Sequence, residues 1–285
     1  MNQRSAALLP LLLALMAYLL LLALPAQAAA DGAQPIQGAG LYSVTLRHGG
    51  RLREALVHVP RGFNGVRQMP LLLALHGGGG SASLMASDHY GLRAKADEAG
   101  FIAVFPNGVG ALGGTALATW NAGQCCGSAR DKGIDDVGYL RALVDHLQRR
   151  LPIDRQRIYA TGMSNGGMMA HRLACDAADL LAGVAAVAGT DNTVQCTPSR
   201  PVPVLHIHAL DDTHVLFNGG AGPDAFPDPS KVTDFTSVPE TIQRWTQRNG
   251  CAATPRRVLT VPGAYCDVQA PCNGGARVKL CVTET

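Results

Sequence analysis

The chain has 285 residues, of which 47% are hydrophobic and 16% charged, with a formal net charge of +3. That apolar content excludes a disordered chain, and 33 glycines without a triplet period exclude a collagen-like one. No long Lys/Arg run is present, so the charge gives no argument for a nucleic-acid partner.

Arg4 is the only charge ahead of an apolar run over residues 6–24, which Pro10 interrupts and Pro25 and Ala26-Gln27-Ala28 follow. A basic start, an apolar stretch and a small-x-small site make a secretory signal over residues 1–28. A membrane anchor is the competing reading, since the run is long enough to span. Pro25 and the Ala-Gln-Ala site favour cleavage, secretion to an extracellular or periplasmic location, and no stable membrane association afterwards. Removing 28 of the 285 residues leaves 257 in residues 29–285, the length of one α/β domain. The eight cysteines fit an exported chain and suggest disulfides. Cys125 and Cys126 are adjacent and are expected to pair with distant partners. No Cys-x2-Cys pair stands near a matched His pair, so no metal site is expected.

In chain order, residues 41–48 and 51–59 read as strands around Gly49-Gly50. Residues 71–75 are an apolar run suited to a strand buried on both faces, ending in His76-Gly77-Gly78-Gly79-Gly80. A helix is predicted over 83–99, stopped by Gly100, and a strand over 101–105. Residues 107–132 are Gly-rich and irregular, a length of loop that is usually functional or pinned. Asp135 and Asp136 open a helix to about residue 151, where acidic side chains complement the positive helix end. A strand over 157–161 and a helix over 165–176 follow. Strands over 184–187, 202–208 and 277–282 and a helix over 238–249 complete the pattern. Alternating strands and helices predict an α/β fold with a mostly parallel sheet covered on both faces.

The 157–161 strand runs through Gly162-Met163-Ser164-Asn165-Gly166 into a helix, which is Gly-x-Ser-x-Gly in the context a nucleophile elbow requires. The glycines admit a sharp turn that raises Ser164 Oγ above the sheet edge. A tetrahedral intermediate needs donors aimed at its developing oxyanion. The backbone N–H of Asn165 is one candidate and that of Gly78, in a Gly-rich loop after a buried strand, the other. His76 precedes the nucleophile and is expected to be structural. The usual order places Asp or Glu next and His last. Asp212, at the end of the 202–208 strand, is the candidate acid, with Asp211 as its neighbouring alternative. His206 and His208 alternate on that strand, a spacing that suits metal ligands. No third ligand accompanies them, so buried hydrogen-bonded histidines are expected. His48, His58, His89, His146 and His171 are read as structural or surface residues.

Several motifs from residue 71 onward carry a resemblance. They are Leu-His-Gly-Gly-Gly-Gly at 75–80, Trp-Asn-Ala-Gly-Gln-Cys-Cys-Gly at 120–127 and Asp-Asp-Val-Gly at 135–138. Tyr-Ala-Thr-Gly-Met-Ser-Asn-Gly-Gly at 159–167 and Leu-His-Ile-His at 205–208 complete the set. On these the chain resembles the secreted polyhydroxybutyrate depolymerase and feruloyl esterase-like group of α/β-hydrolases. The family's His-Gly-x-x-Asp pattern falls on His208 to Asp212 and selects Asp212, with Ala209 in place of the family Gly. The resemblance implies an α/β-hydrolase fold, a carboxylic ester hydrolase acting on a polymeric or small-molecule ester, no cofactor, and Trp120 near the substrate cleft.

The same family carries its catalytic His in Gly-Gly-His-x-Trp-Pro just after the last strand. Here Thr283-Glu284-Thr285 follow that strand, and the only histidine beyond Asp212 is His214, in the same loop. The resemblance therefore implies a chain that stops before its catalytic base. Two other function classes stay open: a catalytically impaired secreted protein that binds a polymer, and a serine peptidase of the same fold.

Overall fold

The computed structural model describes residues 36–225, 234–252 and 254–284, all within the compact unit Ala33–Thr285. The expected signal segment lies outside the described residues. Among them, ten strands form one sheet in the order β1-β2-β4-β3-β5-β6-β7-β10-β9-β8. The strands are β1 Gly40–His48, β2 Arg51–Val59, β3 Met69–Leu75, β4 Ile102–Pro106 and β5 Ile153–Met163. They continue with β6 Gly183–Val187, β7 Val204–Ala209, β8 Arg256–Val261, β9 Ala264–Gln269 and β10 Val278–Thr283. The centre, from β4 to β10, is parallel, and antiparallel pairs close both edges. This is an α/β-hydrolase sheet.

The helices are α1 Ala82–Met85, α2 Leu92–Ala99, α3 Gly127–Asp131, α4 Asp136–Gln148, α5 Asn165–Asp176 and α6 Val238–Arg248. The main core fills the face under α4, α5 and α6, with Leu71, Leu73 and Leu75 of β3 against Leu140, Leu143, Met169 and Leu173. The alternate residue Ala74 turns to the other face and packs with Ala82, Met85, Ala96 and Phe105 beside α1 and α2. Both faces of β3 are thus covered, which is why residues 71–75 read as a continuous apolar run.

Two expectations change. The helix predicted over 83–99 is two helices, because Tyr90 and Gly91 N–H turn back onto Ser87 and Asp88 and Gly91 adopts φ 63°. The β8–β9 hairpin was not foreseen. Every residue of β8 is exposed, so no apolar alternation marks it.

The eight cysteines form four disulfides: Cys125–Cys126, Cys175–Cys196, Cys251–Cys272 and Cys266–Cys281. The expectation of distant partners for Cys125 and Cys126 is corrected, since they pair with each other. Both are buried, and the other six sulfurs are matched among themselves.

Candidate active site

Strand register brings three loops to one end of the sheet. Leu75 pairs with Gly162, Met163 with Val187, and Val187 with Ile207. The loops carrying His76, Ser164 and Asp212 therefore emerge level. β6 separates β5 from β7, so the nucleophile and acid strands stand two interstrand spacings apart, about 10 Å.

Ser164 is the hinge between β5 and α5, with φ 54° and ψ −123°. Only Leu117 and Ala188 share positive φ among the described non-glycine residues. Such backbone strain persists where neighbours over-determine it. Here the Ser164 N–H donates to Val187 O at 2.8 Å, and Ser164 O accepts from Met168 N–H at 3.0 Å. A Cβ on Gly162 would stand 2.4 Å from the Gly166 carbonyl carbon, and one on Gly166 would stand 2.3 Å from Leu75 O. The flanking glycines are a steric requirement of the turn. Ser164 itself is half-buried, and its Oγ has no hydrogen-bond partner among the described residues.

Asn165 is the first residue of α5, so its N–H is one of the helix's unsatisfied donors. The loop after β3 lies against it: a Cβ on Gly77 would be 3.6 Å from Ser164 Cβ, and one on Gly78 3.7 Å from Asn165 Cβ. Gly79 and Gly80 donate to Ala118 O and Gly77 O. The Gly78 N–H has no acceptor among the described residues and stays available beside the elbow.

The Asn165 side chain does separate work that sequence reasoning missed. Its Oδ1 accepts from Trp120 N–H at 2.7 Å and its Nδ2 donates to Trp120 O at 3.0 Å. Both residues are buried. Trp120, expected near the substrate cleft, is 0% exposed. Its indole N–H donates to His76 O at 2.9 Å, which places the ring beneath the site as support for the Gly-rich loop.

His76 is structural, as expected. Its Nδ1 donates to Gly77 O at 2.7 Å and its Nε2 accepts from Gly108 N–H at 3.0 Å, an arrangement only the neutral ring can make. Burial lowers its pKa to about 4; the Gly77 hydrogen bond opposes this and Arg53 reinforces it. The loop over 107–132 is pinned from behind. Asp136, buried at the start of α4, accepts from the buried Arg53 Nη2 of β2 at 2.6 Å and from the Asn121 N–H of the loop at 2.8 Å. Asp135 caps that helix by accepting from Gly138 N–H at 2.9 Å.

Asp212 follows β7. Its Oδ1 accepts from His214 N–H at 2.8 Å and Val215 N–H at 2.9 Å, and its Oδ2 faces His208 Nε2 at 3.3 Å. Asp211 is exposed and makes no side-chain hydrogen bond. Among the described residues the His214 ring has a single hydrogen-bond contact, with Thr213 Oγ1 at 3.5 Å. No histidine among the described residues is hydrogen-bonded to Ser164 Oγ. His206 and His208 are buried and hydrogen-bonded, as expected.

Comparison with known proteins agrees with this architecture. Feruloyl esterase B of Piromyces equi is 31% identical over 234 residues, which cover 80% of this chain and 41% of that protein. Putative esterase NocK of Nocardia uniformis subsp. tsuyamanensis is 34% identical over 243 residues, covering 80% of this chain and 68% of that one. The chain thus spans about two fifths of the first relative and about two thirds of the second. Among solved structures, an acetyl xylan esterase from Aspergillus awamori superposes with a TM-score of 0.59 at 14% identity, over 86% of this chain and 93% of that one, a likeness of fold. The phospholipase/carboxylesterase family model matches residues 64–221, a span holding the Gly-rich loop, the elbow and the acid loop. More than half of the chain is matched, and the protein belongs to the phospholipase/carboxylesterase family of α/β-hydrolases.

Proposed function

We propose that the protein is a secreted serine carboxylic ester hydrolase acting on plant cell-wall esters, feruloyl or acetyl, through an acyl-enzyme. Ser164 Oγ attacks the ester carbonyl while its proton passes to a general-base imidazole; no histidine among the described residues stands at Ser164 Oγ, and Asp212 is the carboxylate proposed to orient that base. The backbone N–H groups of Gly78 and Asn165 receive the oxyanion. Collapse of the tetrahedral intermediate breaks the ester C–O bond, and the alcohol leaves with the proton held by the imidazole. Water then adds to the acyl-enzyme and releases the acid. The observation that carries this reading is the strained Ser164 at the start of α5, with Gly78 lying against Asn165. The name of the first relative, feruloyl esterase, supports the substrate class. The four disulfides fit the proposed secretion. Polyhydroxybutyrate-like polyester is the competing substrate.

A second reading, a polymer-binding protein with little or no catalysis, draws on the lack of an imidazole at Ser164 Oγ among the described residues. The test compares the protein expressed from its full reading frame with Ser164→Ala on nitrophenyl acetate, methyl ferulate, polyhydroxybutyrate and casein. Turnover should fall by at least about 1,000-fold in the variant. Equal turnover would refute the mechanism, and bound polymer without turnover in either protein would favour the second reading. Casein cleavage outrunning ester cleavage would make it a peptidase.

A further inference from the structure

Three histidines on two different elements form one continuous chain of hydrogen bonds ending at the acid loop. Trp245 Nε1 donates to His171 Nδ1 at 2.9 Å. His171 Nε2 lies 3.2 Å from His206 Nδ1, and His206 Nε2 lies 3.1 Å from His208 Nδ1. His208 Nε2 lies 2.8 Å from Val215 O and 3.3 Å from Asp212 Oδ2. Trp245 belongs to α6, His171 to α5, and His206 and His208 to the buried face of β7. All four side chains are at most 1% exposed.

The direction of the chain follows from its first member. An indole N–H can only donate, so His171 Nδ1 must accept and its proton sits on Nε2. His206 Nδ1 then accepts and carries its proton on Nε2, and the same holds for His208. Each ring is neutral, each carries Nε2–H, and the last proton points at Val215 O with Asp212 Oδ2 beside it. Reversal at any ring would set two donors or two acceptors face to face in a buried site, where an unpaired polar group costs about 1–3 kcal/mol.

The surroundings keep the rings neutral. Burial lowers the His171 pKa to about 4, with Asp191 opposing and Arg248 reinforcing. Burial, and then the neighbours His171 and His208, hold His206 well below the usual range. His208 is also lowered by burial, against the Val215 carbonyl and Asp212.

We propose that His171, His206 and His208 are positioning residues: they form a one-way chain that ties the nucleophile helix α5 to the acid loop and holds the Asp212 carboxylate in its catalytic rotamer. This rests on the reading of Ser164 and Asp212 as nucleophile and acid. Asp212 Oδ1 is held by two backbone N–H groups of its own loop, and that loop is held in turn by His208 through Val215 O. His171 sits on α5, the helix that Ser164 caps, so a displacement of either element strains the other. A misplacement of about 1 Å in such a constellation costs about 100-fold in rate.

The test uses the full-length protein with His208→Leu, His208→Gln, Trp245→Phe and, as a control on the site, Ser164→Ala. Gln places an N–H near the position of the His Nε2–H, and Leu removes it. With nitrophenyl acetate at 15 °C, on fractions shown folded by circular dichroism, His208→Leu should lose about 10- to 100-fold in kcat with KM changed less than about 3-fold. His208→Gln should recover at least a third of the loss on a logarithmic scale, and Trp245→Phe should lower kcat by about 3-fold or more. In the wild-type protein, nitrogen-15 spectra of the three rings should show the Nε2–H tautomer at each between pH 6 and 8. Wild-type kcat in folded His208→Leu, or an Nδ1–H tautomer at any of the three rings, would overturn the proposal while Ser164→Ala remains inactive. An active Ser164→Ala would overturn the underlying site assignment instead, and the ring spectra would still decide the chain.

Discussion

Asn165→Ala separates the side-chain role of this residue from the oxyanion role of its backbone. The side chain accepts from Trp120 N–H at 2.7 Å and donates to Trp120 O at 3.0 Å. Asn165 is 2% exposed and Trp120 0%, so the freed backbone groups meet no bulk water. Each buried group left unpaired costs about 1–3 kcal/mol, which gives about 2–6 kcal/mol for the pair. In a domain of this size that corresponds to a fall in Tm of about 4–24 °C, and a water entering the vacated space would bring it toward the lower end. Asn165→Asp keeps the acceptor but turns a second carboxylate oxygen toward Trp120 O, so it should be at least as destabilising. Urea unfolding followed by circular dichroism, with disulfides intact, measures both. A loss below about 1 kcal/mol in the alanine variant would refute the clasp as a support of the site.

Further outcomes follow from the same geometry. Gly166→Ala places its Cβ 2.3 Å from Leu75 O and should abolish the elbow, read as loss of folded protein, whereas Gly62→Ala meets nothing within 4 Å and should shift stability by less than about 0.5 kcal/mol. His76 and His171 have pKa values lowered to about 4 by burial. The unfolded chain therefore takes up protons below about pH 6.5 that the folded chain refuses until about 4, and stability falls as pH falls through that window. Each group contributes about 3 kcal/mol to that fall. Urea midpoints at pH 7, 5.5 and 4.5 should drop in order; equal midpoints would contradict the buried neutral rings. Cys175 and Cys196 close a loop with a sequence separation of 21, so a double change to Ser should cost about 3 kcal/mol. A loss under about 1 kcal/mol would mean that the loop is restrained without the bond.

Much of the fold was legible because its central strands are covered on both faces. Residues 71–75 and 101–105 show this as apolar runs, and β3 and β4 lie there. The exposed β8 offered no such pattern, and the sheet edge it occupies is defined by pairing with β9. The helix over 83–99 broke where the weak helix formers Ser87, Asp88, His89 and Tyr90 lead into Gly91 at φ 63°. At the site, Ser164 was legible from its spacing, because a sharp strand-to-helix turn has a steric demand that only glycines at fixed offsets meet. Asp212 rested on chain order and on the family pattern His-Gly-x-x-Asp, and the structure adds the His208 and Val215 contacts that no spacing announces.

What the chain determined by itself was local: the alternation of elements, the elbow, the Gly-rich loop, and the position of a carboxylate after β7. Each of these follows from backbone sterics or from burial along a few consecutive residues. What only the tertiary structure decided was long-range. Trp120 lies under the site because Asn165, 45 residues away, holds its backbone. Cys125 and Cys126 pair with each other, while the other six sulfurs meet partners at sequence separations of 15 or 21. His171 and His206 touch because α5 packs on β7's face of the sheet, across 35 residues of chain. Hydrogen bonds and disulfides between distant residues depend on where packed elements come to rest, and that is a property of the whole core rather than of any stretch of sequence.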